Sequence, residues 1–414
     1  MAVVLVATLD TKGRELGLVR EELRRAGLEG VVIDAGSLGA PTFAPDIDRE
    51  EVFKRAGTSL SDIRASGDRG HAVAQAAAGV AAIVADLAKT GAVEGILAIG
   101  GSAGTTIGTA AMRALAFGIP KVMLSTLASG QTRPYVGGSD IMMVSPVADV
   151  AGLNRLTRTA LTNAAAALVG MVKRQRQDGA ARDSSEAADR PVVAATMFGV
   201  TTPCVDQARQ SLEASGFEVL VFHATGVGGQ AMEGLVRDGL VSGVLDITTT
   251  ELADEVVGGV LSAGPERLEA AGRAGIPQVV SVGALDMVNF GPMDTVPDRF
   301  RSRRLHVHNP SITLMRTTPE ENATIGGRIA ETLSRARGPT VVLIPGRGVS
   351  ALDAPGQPFH DPQADAALFQ AIAKGLATHP HVELLVRDEH INDPAFAEAA
   401  AAHLRALMQT ARMA

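Results

Sequence analysis

The sequence has few of the residues that mark several common classes of protein. It has no Trp, one Tyr and one Cys, and aromatic residues make up 3% of the chain. A surface that stacks the bases of single-stranded nucleic acid needs more aromatic side chains than this. The lone cysteine, Cys204, cannot form an internal disulfide, which favours a reducing compartment, so we expect a cytoplasmic protein.

An excess of basic charge and long apolar runs are also missing. The formal net charge is -7, so no basic surface for nucleic acid is predicted. No run of about 18 uncharged apolar residues occurs, so we expect no membrane span. The apolar N-terminal segment has no basic region before it and is interrupted at Asp10, so it is not predicted to be a signal peptide.

The chain does contain short apolar segments that alternate with amphipathic ones. Its 414 residues predict two or three domains at roughly 150 residues each. Residues 3–7 predict a buried strand, apolar positions between Glu15 and Ala26 predict a helix, and residues 31–33 predict a second buried strand. This β-α-β order is typical of a parallel sheet, so we predict an α/β fold with mostly parallel sheets.

The same plan starts again in the second half of the sequence. Residues 178–190 lack both strand character and an apolar period, which indicates a linker between a domain at 1–177 and a domain at 191–414. Four segments of the first half recur in the same order in the second, which predicts an internal duplication. The paired segments are 5–8 with 193–196, 25–30 with 214–219, 95–99 with 243–247, and 118–122 with 275–279.

A glycine-rich loop after the third predicted strand is the strongest candidate site. Residues 100–106 read Gly-Gly-Ser-Ala-Gly-Thr-Thr and open a predicted helix, whose amides can bind a phosphate or carboxylate. The spacing fits neither a Walker A loop nor G-x-G-x-x-G. A tight turn with a Ser or Thr cap is the alternative. The candidate phosphate ligands are Gly100, Gly101, Ser102, Gly104, Thr105 and Thr106.

The first βα loop carries polar residues that could face the same ligand. In an open sheet this loop lies beside the loop that follows the third strand. Lys12 could neutralise a phosphate, Thr11 could donate a hydrogen bond, and Asp10 could hold Mg²⁺. Alternatively, Asp10 or Thr11 only caps the helix that follows.

The second half carries a glycine-rich loop of its own, with Thr225, Gly226, Gly228 and Gly229 as ligand candidates. The loop fits G-x-G-x-x-A, but it follows the second strand of its half, which argues against NAD and favours another anionic ligand. Farther on, Thr248 and Glu251 fit a capping box.

Four residues near predicted strand ends are candidates for catalysis: His223, Asp246, Arg347 and Asp353. Arg347 could grip a carboxylate or phosphate with its planar fork. A buried histidine is the alternative for His223, a cap or turn for Asp246, and an exposed surface arginine for Arg347. His306 and His308 would share one face of a strand, but no cysteine lies nearby to complete a zinc site.

Four motifs together resemble a known family. They are residues 7–13 (ATLDTKG), 100–105 (GGSAGT), 225–233 (TGVGGQAME) and 348–353 (GVSALD), in that order. The chain is similar over residues 3–407 to the Tm-one-like ATP-binding domain family, named from the tomato mosaic virus resistance protein and with uncharacterised bacterial homologues. The resemblance implies two Rossmann-like subdomains, ATP binding, and assembly into a homodimer or higher homo-oligomer.

These observations predict a nucleotide-binding protein whose ATP phosphates, with Mg²⁺, meet residues 100–106. An enzyme that acts on a small anionic metabolite between the two halves is the alternative. A third possibility is an interaction module whose conformation the nucleotide sets. No complete nucleophile–base pair is visible, so the sequence names no reaction.

Overall fold

The computed structural model describes residues 1–182 and 190–413 and divides the chain into two units, Met1–Ala187 and Ala188–Ala414. Most of the predicted linker, 178–190, lies outside the described residues. Its first residues, 178–182, belong to a helix.

The first unit is built on one parallel sheet of five strands in the order β2-β1-β3-β4-β5. Side chains alternate across it: Val4 and Val6 pack into one core cluster, while Val3 and Leu5 pack into the cluster on the opposite face. Both faces are thus covered by helices, as the β-α-β pattern predicted. The strands are β1 (Ala2–Ala7), β2 (Gly30–Asp34), β3 (Val93–Gly100), β4 (Lys121–Ser125) and β5 (Met142–Val144).

The helices of this unit bury apolar faces spaced at helical intervals. In the first helix, Leu16, Val19 and Leu23 are buried, while arginines occupy its exposed last turn. The helices are α1 (Leu9–Arg25), α2 (Arg49–Arg55), α3 (Leu60–Ser66), α4 (Arg69–Lys89), α5 (Ser102–Arg113), α6 (Arg133–Val136) and α7 (Arg155–Arg182).

Helix α4 is the one helix among the described residues that is long and apolar enough to cross a membrane. Its residues Ala76, Val80 and Ile83 belong to the buried core of the first unit, next to the sheet. A core helix of a globular protein passes the same test of length and composition, so α4 is weak evidence for a span.

The second unit has a parallel sheet of six strands in the order β14-β13-β9-β8-β6-β7 and a separate antiparallel sheet in the order β10-β12-β11. The strands are β6 (Val192–Met197), β7 (Glu218–His223), β8 (Gly243–Thr248), β9 (Gln278–Gly283), β10 (Met287–Phe290), β11 (Leu305–Asn309), β12 (Ile312–Arg316), β13 (Thr340–Pro345) and β14 (Val382–Arg387). The helices are α8 (Thr202–Ala214), α9 (Val227–Arg237), α10 (Glu251–Val257), α11 (Ala270–Ala274), α12 (Pro319–Leu333), α13 (Pro362–Leu376) and α14 (Pro394–Met413).

The two parallel sheets share one strand order. In each unit the first strand lies between the second and the third, and the fourth follows the third. Each of the four repeated sequence segments forms or enters the corresponding strand: β1 and β6, β2 and β7, β3 and β8, β4 and β9. The prediction of two Rossmann-like, mostly parallel α/β subdomains is confirmed, and the shared order is what an internal duplication produces.

Candidate functional site

In the first sheet, the direction in which the chain adds strands reverses between β1 and β3. From β1 the chain moves to β2 on one side, and from β3 it moves to β4 on the other. Open parallel sheets bind ligands at this switch point, outside the carboxyl ends of the strands. The turn at Thr8 and the loop at Gly101 both follow strands that flank this point, so the expected adjacency of these two segments is confirmed.

Helix α5 begins at this point without a side-chain cap. Gly101 is its N-cap residue and has no side chain to offer, and within residues 1–182 and 190–413 the helix start has no side-chain cap hydrogen bond. The contrast within the same unit is α4, where the carboxylate of Asp68 accepts a hydrogen bond from His71 N. The first amides of α5 therefore keep their donors and their partial positive charge for another acceptor.

The three glycines of the loop have different roles. A Cβ on Gly100 would lie 2.6 Å from Gly104 Cα, and a Cβ on Gly104 would lie 2.9 Å from Ile99 O, so the turn needs both glycines. A Cβ on Gly101 would meet only Thr126 Oγ1, at an ordinary 3.6 Å. None of the three has a positive φ, so close packing, not a left-handed backbone, explains Gly100 and Gly104.

The hydroxyls of this loop are divided between the protein interior and its surface. Thr105 is fully buried, and its Oγ1 donates to Gly101 O and lies 2.6 Å from Ser125 Oγ, which argues against a contact between this hydroxyl and a ligand. Thr106 Oγ1, half-buried, donates to Ser102 O at 3.0 Å. Ser102 is exposed at the first position of α5 and is the hydroxyl of the loop best placed to meet an anion.

The segment after β4 was not predicted to belong to the site. Thr126 N donates to Gly100 O at 3.3 Å, which places this segment against the glycine loop. A Ser-Thr pair directly after a buried strand, Ser125 and Thr126, is the sequence signal that could have identified it.

The residues Asp10, Thr11 and Lys12 lie in the first turn of α1 and not in a loop, because α1 begins at Leu9. Asp10 Oδ2 accepts hydrogen bonds from Leu38 N at 3.0 Å and Gly39 N at 3.1 Å. Its side chain is 5% exposed and lies 3.8 Å from the guanidinium of Arg49. These contacts give Asp10 a structural role and argue against its being a Mg²⁺ ligand.

The other two residues of this turn also bond within the first unit. Thr11 Oγ1 lies 2.7 Å from Thr8 Oγ1, and Lys12 Nζ donates to the carbonyl of Val150. The cap of α1 comes from Asp34, at the end of β2, whose Oδ1 accepts from Leu9 N at 3.0 Å. A cap supplied from another strand has no local sequence signal, so Asp34 was missed.

The glycine-rich loop of the second unit holds a carboxylate of its own chain. Glu251 Oε1 accepts hydrogen bonds from Gly226 N at 2.6 Å and Gly229 N at 3.1 Å, and Gly226 has a φ of 86°. The predicted capping box is wrong, because the side chain of Glu251 turns to this loop, while Thr248 Oγ1 lies 2.8 Å from Thr201 Oγ1. The amides of Gly226 and Gly229 are therefore already used inside the unit.

Glu251 belongs to a buried ionic network around Arg267. The guanidinium of Arg267 bonds to Glu251 at 2.7 Å and to both oxygens of Asp246 at 2.5 and 2.7 Å. It lies 3.3 Å from Glu233, whose carboxylate also accepts from two backbone amides. Asp246 is 1% exposed and has Thr196 as a further donor, so the network argues against its catalytic role.

Burial and charge act in opposite directions on this network. Burial raises the pKa of Glu233 and of Glu251, although Arg267 acts to lower both. Burial alone would lower the pKa of Arg267, but Asp246 and Glu251 outweigh it and raise that pKa well above its usual value. Arg267 therefore stays charged and holds three carboxyl groups together.

The remaining candidates lie at three different depths. Arg347 is on the surface, where it pairs with the exposed Asp388 at 2.7 Å. His223 is exposed at the end of the edge strand β7, so the expectation of a buried histidine is wrong. Asp353 is fully buried and accepts from Val349 N.

The other ligand candidates of the second glycine-rich loop also contact their own unit. Thr225 Oγ1 donates to His223 O, and a Cβ on Gly228 would lie 1.8 Å from that carbonyl oxygen.

Metal ligands do not converge on either loop. Within residues 1–182 and 190–413 there is no group of three or more His, Cys, Asp or Glu side chains that could hold a metal ion. His306 packs its ring against Phe359 at 6.1 Å. The N-terminus of α5 combines open amides with the switch point of the first sheet.

The chain has close relatives over its whole length. It is 51% identical over 407 residues to a protein of Clostridium tetani, covering 98% of this chain and 99% of that one. It is 48% identical over 305 residues to the tomato ToMV resistance protein Tm-1(GCR237), covering 74% of this chain but only 40% of the tomato protein. The predicted relationship to the tomato protein is confirmed at the level of the family.

A solved structure of UDP-N-acetylglucosamine 2-epimerase from Rickettsia bellii is 10% identical, covers 99% of this chain and 96% of that one, and has a TM-score of 0.23, from which we draw nothing. Family models match both units. The N-terminal domain model matches residues 1–177 and the C-terminal domain model matches residues 190–408. The chain therefore belongs to the uncharacterised protein family UPF0261.

Proposed function

We propose that this protein binds ATP and holds its phosphates at the N-terminus of α5, residues 100–106. The observation that carries the proposal is the uncapped start of α5 at the switch point of the first sheet. Backbone amides in this position carry partial positive charge and favour phosphate oxygens. Gly101 supports the proposal because nothing in the packing requires a glycine there, and its missing side chain leaves the amides accessible to a ligand.

The choice of ATP among phosphate ligands is supported by the four motifs that resemble the Tm-one-like ATP-binding domain family. Ser102 and Thr126 are the hydroxyls that we assign to phosphate oxygens, because both border the open amides. The second glycine-rich loop has no part in this proposal, since Glu251 already takes the amides of Gly226 and Gly229.

Three further properties belong to the proposal. We expect Mg²⁺ to accompany ATP through phosphate oxygens and water, because Asp10 is engaged by two amides and Arg49. A cytoplasmic location is supported by the single, buried Cys204. A homodimer or higher homo-oligomer is supported by the resemblance to the family.

Calorimetric titration of the full chain with Mg-ATP tests the proposal, together with mass spectrometry of any ligand that copurifies. We expect ATP to bind, inorganic pyrophosphate to compete with it, and adenosine to compete poorly, because the site holds phosphates. Phosphate release during the titration would identify an enzyme. Absence of binding at millimolar Mg-ATP would overturn the proposal.

A pair of glycine variants separates the site from the fold. Gly101→Val places a branched side chain over the open amides, and we expect it to lose ATP binding and keep its secondary structure. Gly170→Val in α7 is the control, because no atom lies within 4 Å of a Cβ at this exposed position. Equal affinity of both variants for ATP would show that residues 100–106 form only a turn.

A further inference from the structure

A second group of buried polar side chains lies at the carboxyl edge of the sheet in the second unit. Asp286 follows β9, Asp353 lies after β13, Asp365 is in the first turn of α13, and Arg316 ends β12. We call these four residues the Asp–Arg cluster. Asp286 and Asp353 are fully buried, Arg316 is 3% exposed and Asp365 is 7% exposed.

The cluster contains more negative than positive groups. Arg316 Nη2 lies 2.7 Å from Asp365 Oδ1 and 3.7 Å from Asp353 Oδ1. The third carboxyl, Asp286, accepts a hydrogen bond from Ser350 Oγ at 2.7 Å. Three carboxyl groups thus face one guanidinium, and a low-polarity interior does not tolerate such an excess of charge.

Some polar atoms of the cluster have no hydrogen-bond partner within the described residues. They are Asp286 Oδ1, Asp353 Oδ1 and the neighbouring His360 Nδ1, which lies 3.9 Å from Asp353 Oδ1. The carboxyls of Asp365 and Asp353 both lie beside the same nitrogen, Arg316 Nη2, which brings the two groups together. A single proton shared by these two carboxyls would give Asp353 Oδ1 its missing donor and remove one negative charge.

The same arginine also holds the segment that connects Asp353 to α13. Arg316 Nε donates to Phe359 O at 2.7 Å, and Nη2 lies 3.3 Å from Asp361 O. Arg316 therefore holds residues 354–361 in place, and the same guanidinium contacts the carboxyl pair Asp353–Asp365. A change in the charge of that pair acts directly on this attachment.

We propose that the Asp–Arg cluster is a proton-operated latch for residues 354–361. The latch is closed while one carboxyl of the pair Asp353–Asp365 carries a proton, which it donates to the other. When that proton passes to solvent, the two carboxylates repel each other, the loop after β13 separates from α13, and residues 354–361 are released from Arg316.

Desolvation supports the placement of this switch near neutral pH. Burial, followed by the charge of Asp353, raises the pKa of Asp365 to about 8. The same two causes raise the pKa of Asp286 to about 7. Both carboxyls thus hold protons in the folded state at pH values where they would be ionised in the unfolded chain.

Other charged groups around the latch keep their own contacts. Arg304 donates to His360 O at 3.3 Å, and His390 Nε2 lies 2.9 Å from Ser350 O. Arg303 donates to Arg316 O and pairs with Glu321 at 2.8 Å. Asp361 caps α13 through Ala364 N. None of these groups supplies a donor to Asp353 Oδ1, so the proton of the carboxyl pair remains the one within the described residues that can.

The sign of the pH dependence follows from the raised pKa. The carboxyl pair binds its proton less tightly when residues 354–361 are released than when they are held. The equilibrium constant for opening therefore rises with pH. The rise is roughly tenfold per pH unit between the ordinary carboxyl pKa and the raised one, and it levels off above the raised value. Opening of 354–361 should therefore increase about 50-fold from pH 6 to pH 8 and about twofold more above pH 8.

Hydrogen–deuterium exchange of the full chain at pH 6, 7, 8 and 9, corrected for intrinsic exchange, tests the latch. In the parent we expect protection of 354–361 to fall with pH while a peptide from β6 keeps its protection. In Asp365→Asn, the amide keeps an oxygen for Arg316 and gives Asp353 a permanent donor, so the segment should stay protected at every pH. Asp388→Asn, at an exposed surface pair, is the control and should behave as the parent.

Three results would overturn the latch: unchanged protection of 354–361 in the parent from pH 6 to 9, loss of protection in β6 and 354–361 together, or opening of Asp365→Asn with the parent's pH dependence. If Asp365→Asn does not fold, the parent's two peptides decide the question alone. Exchange in a peptide from α10 separates the effect of Asp254, another buried carboxyl of the second unit, whose pKa burial raises to about 7.

Discussion

The carboxylate of Glu251 lies 2.6 Å from the backbone nitrogen of Gly226, so the glycine-rich loop of the second unit holds an anion supplied by its own chain. Among the residues that the structure describes, no carboxylate caps the helix that starts at Ser102 in the first unit. One loop is thus filled and the other is open, although both looked like anion sites in the sequence. This difference directs the proposed ATP site to the first unit.

Removal of the internal anion should destabilise the second unit. Glu251→Ala leaves Arg267 short of a partner and two loop amides unpaired, and we expect the free energy of unfolding to fall by about 3–5 kcal/mol. Urea denaturation of the full chain measures this change. Glu213→Ala, which removes a surface pair with Arg209, is the control and should unfold like the parent. Similar curves for both variants would show that Glu251 is not a structural anion.

The two hydroxyl residues Thr105 and Ser102 should respond in opposite ways. Thr105→Val removes buried hydrogen bonds to Gly101 O and Ser125, so we expect a loss of about 1–3 kcal/mol of stability. Ser102→Ala removes an exposed hydroxyl and should leave stability unchanged while weakening ATP binding. Thermal melts and calorimetric titration of both variants measure the two effects. If Thr105→Val kept its stability, the inward placement of this hydroxyl would be wrong.

Arg347 should be indifferent to substitution. Its guanidinium pairs with Asp388 on the surface, where both side chains are mostly exposed and solvent screens the charges. We expect Arg347→Lys to keep the melting temperature and the affinity for ATP of the parent. A clear loss of affinity for any anionic ligand would show that Arg347 contributes to binding.

Cys204 should be inert in the folded protein. The thiol is buried in α8, and burial raises its pKa to about 12, so the reactive thiolate is scarce at neutral pH. We expect no reaction with a thiol reagent under native conditions and one equivalent of reaction after denaturation in urea. Rapid modification of the native protein would mean that α8 opens readily.

Most strands of the two parallel sheets could be predicted from the sequence because their signals are local. Short apolar runs such as residues 3–7 identify buried strands, and the repeated segments anticipated a common sheet order. The paired strands β10 and β12 and the helices α2 and α3 were not predicted. These elements are short, with four and five residues in the strands and seven in each helix, and β10 and β12 are stabilised by pairing with each other.

The errors at the sites have a common physical cause. Asp34 caps Leu9 from 25 residues away, and Glu251 fills a loop 22 to 25 residues before it. The spacing of Thr248 and Glu251 looked like a local cap, but the stronger partners were the loop amides and Arg267. A side chain's nearest partner in space decides its role, and that partner leaves no trace in a local pattern.

The measurement that tests the central claim most directly is the thermal shift produced by Mg-ATP in the parent and in Gly101→Asp. The new carboxylate can cap α5 as Asp68 caps α4, so the variant should fold at least as well as the parent while its own side chain occupies the phosphate site. ATP at 100 times its dissociation constant should stabilise the parent by about 2.7 kcal/mol, or roughly 5–10 °C. We predict no shift in Gly101→Asp and a partial one in Gly101→Asn, which caps without charge. An equal ATP-dependent shift in the parent and in Gly101→Asp would contradict the account.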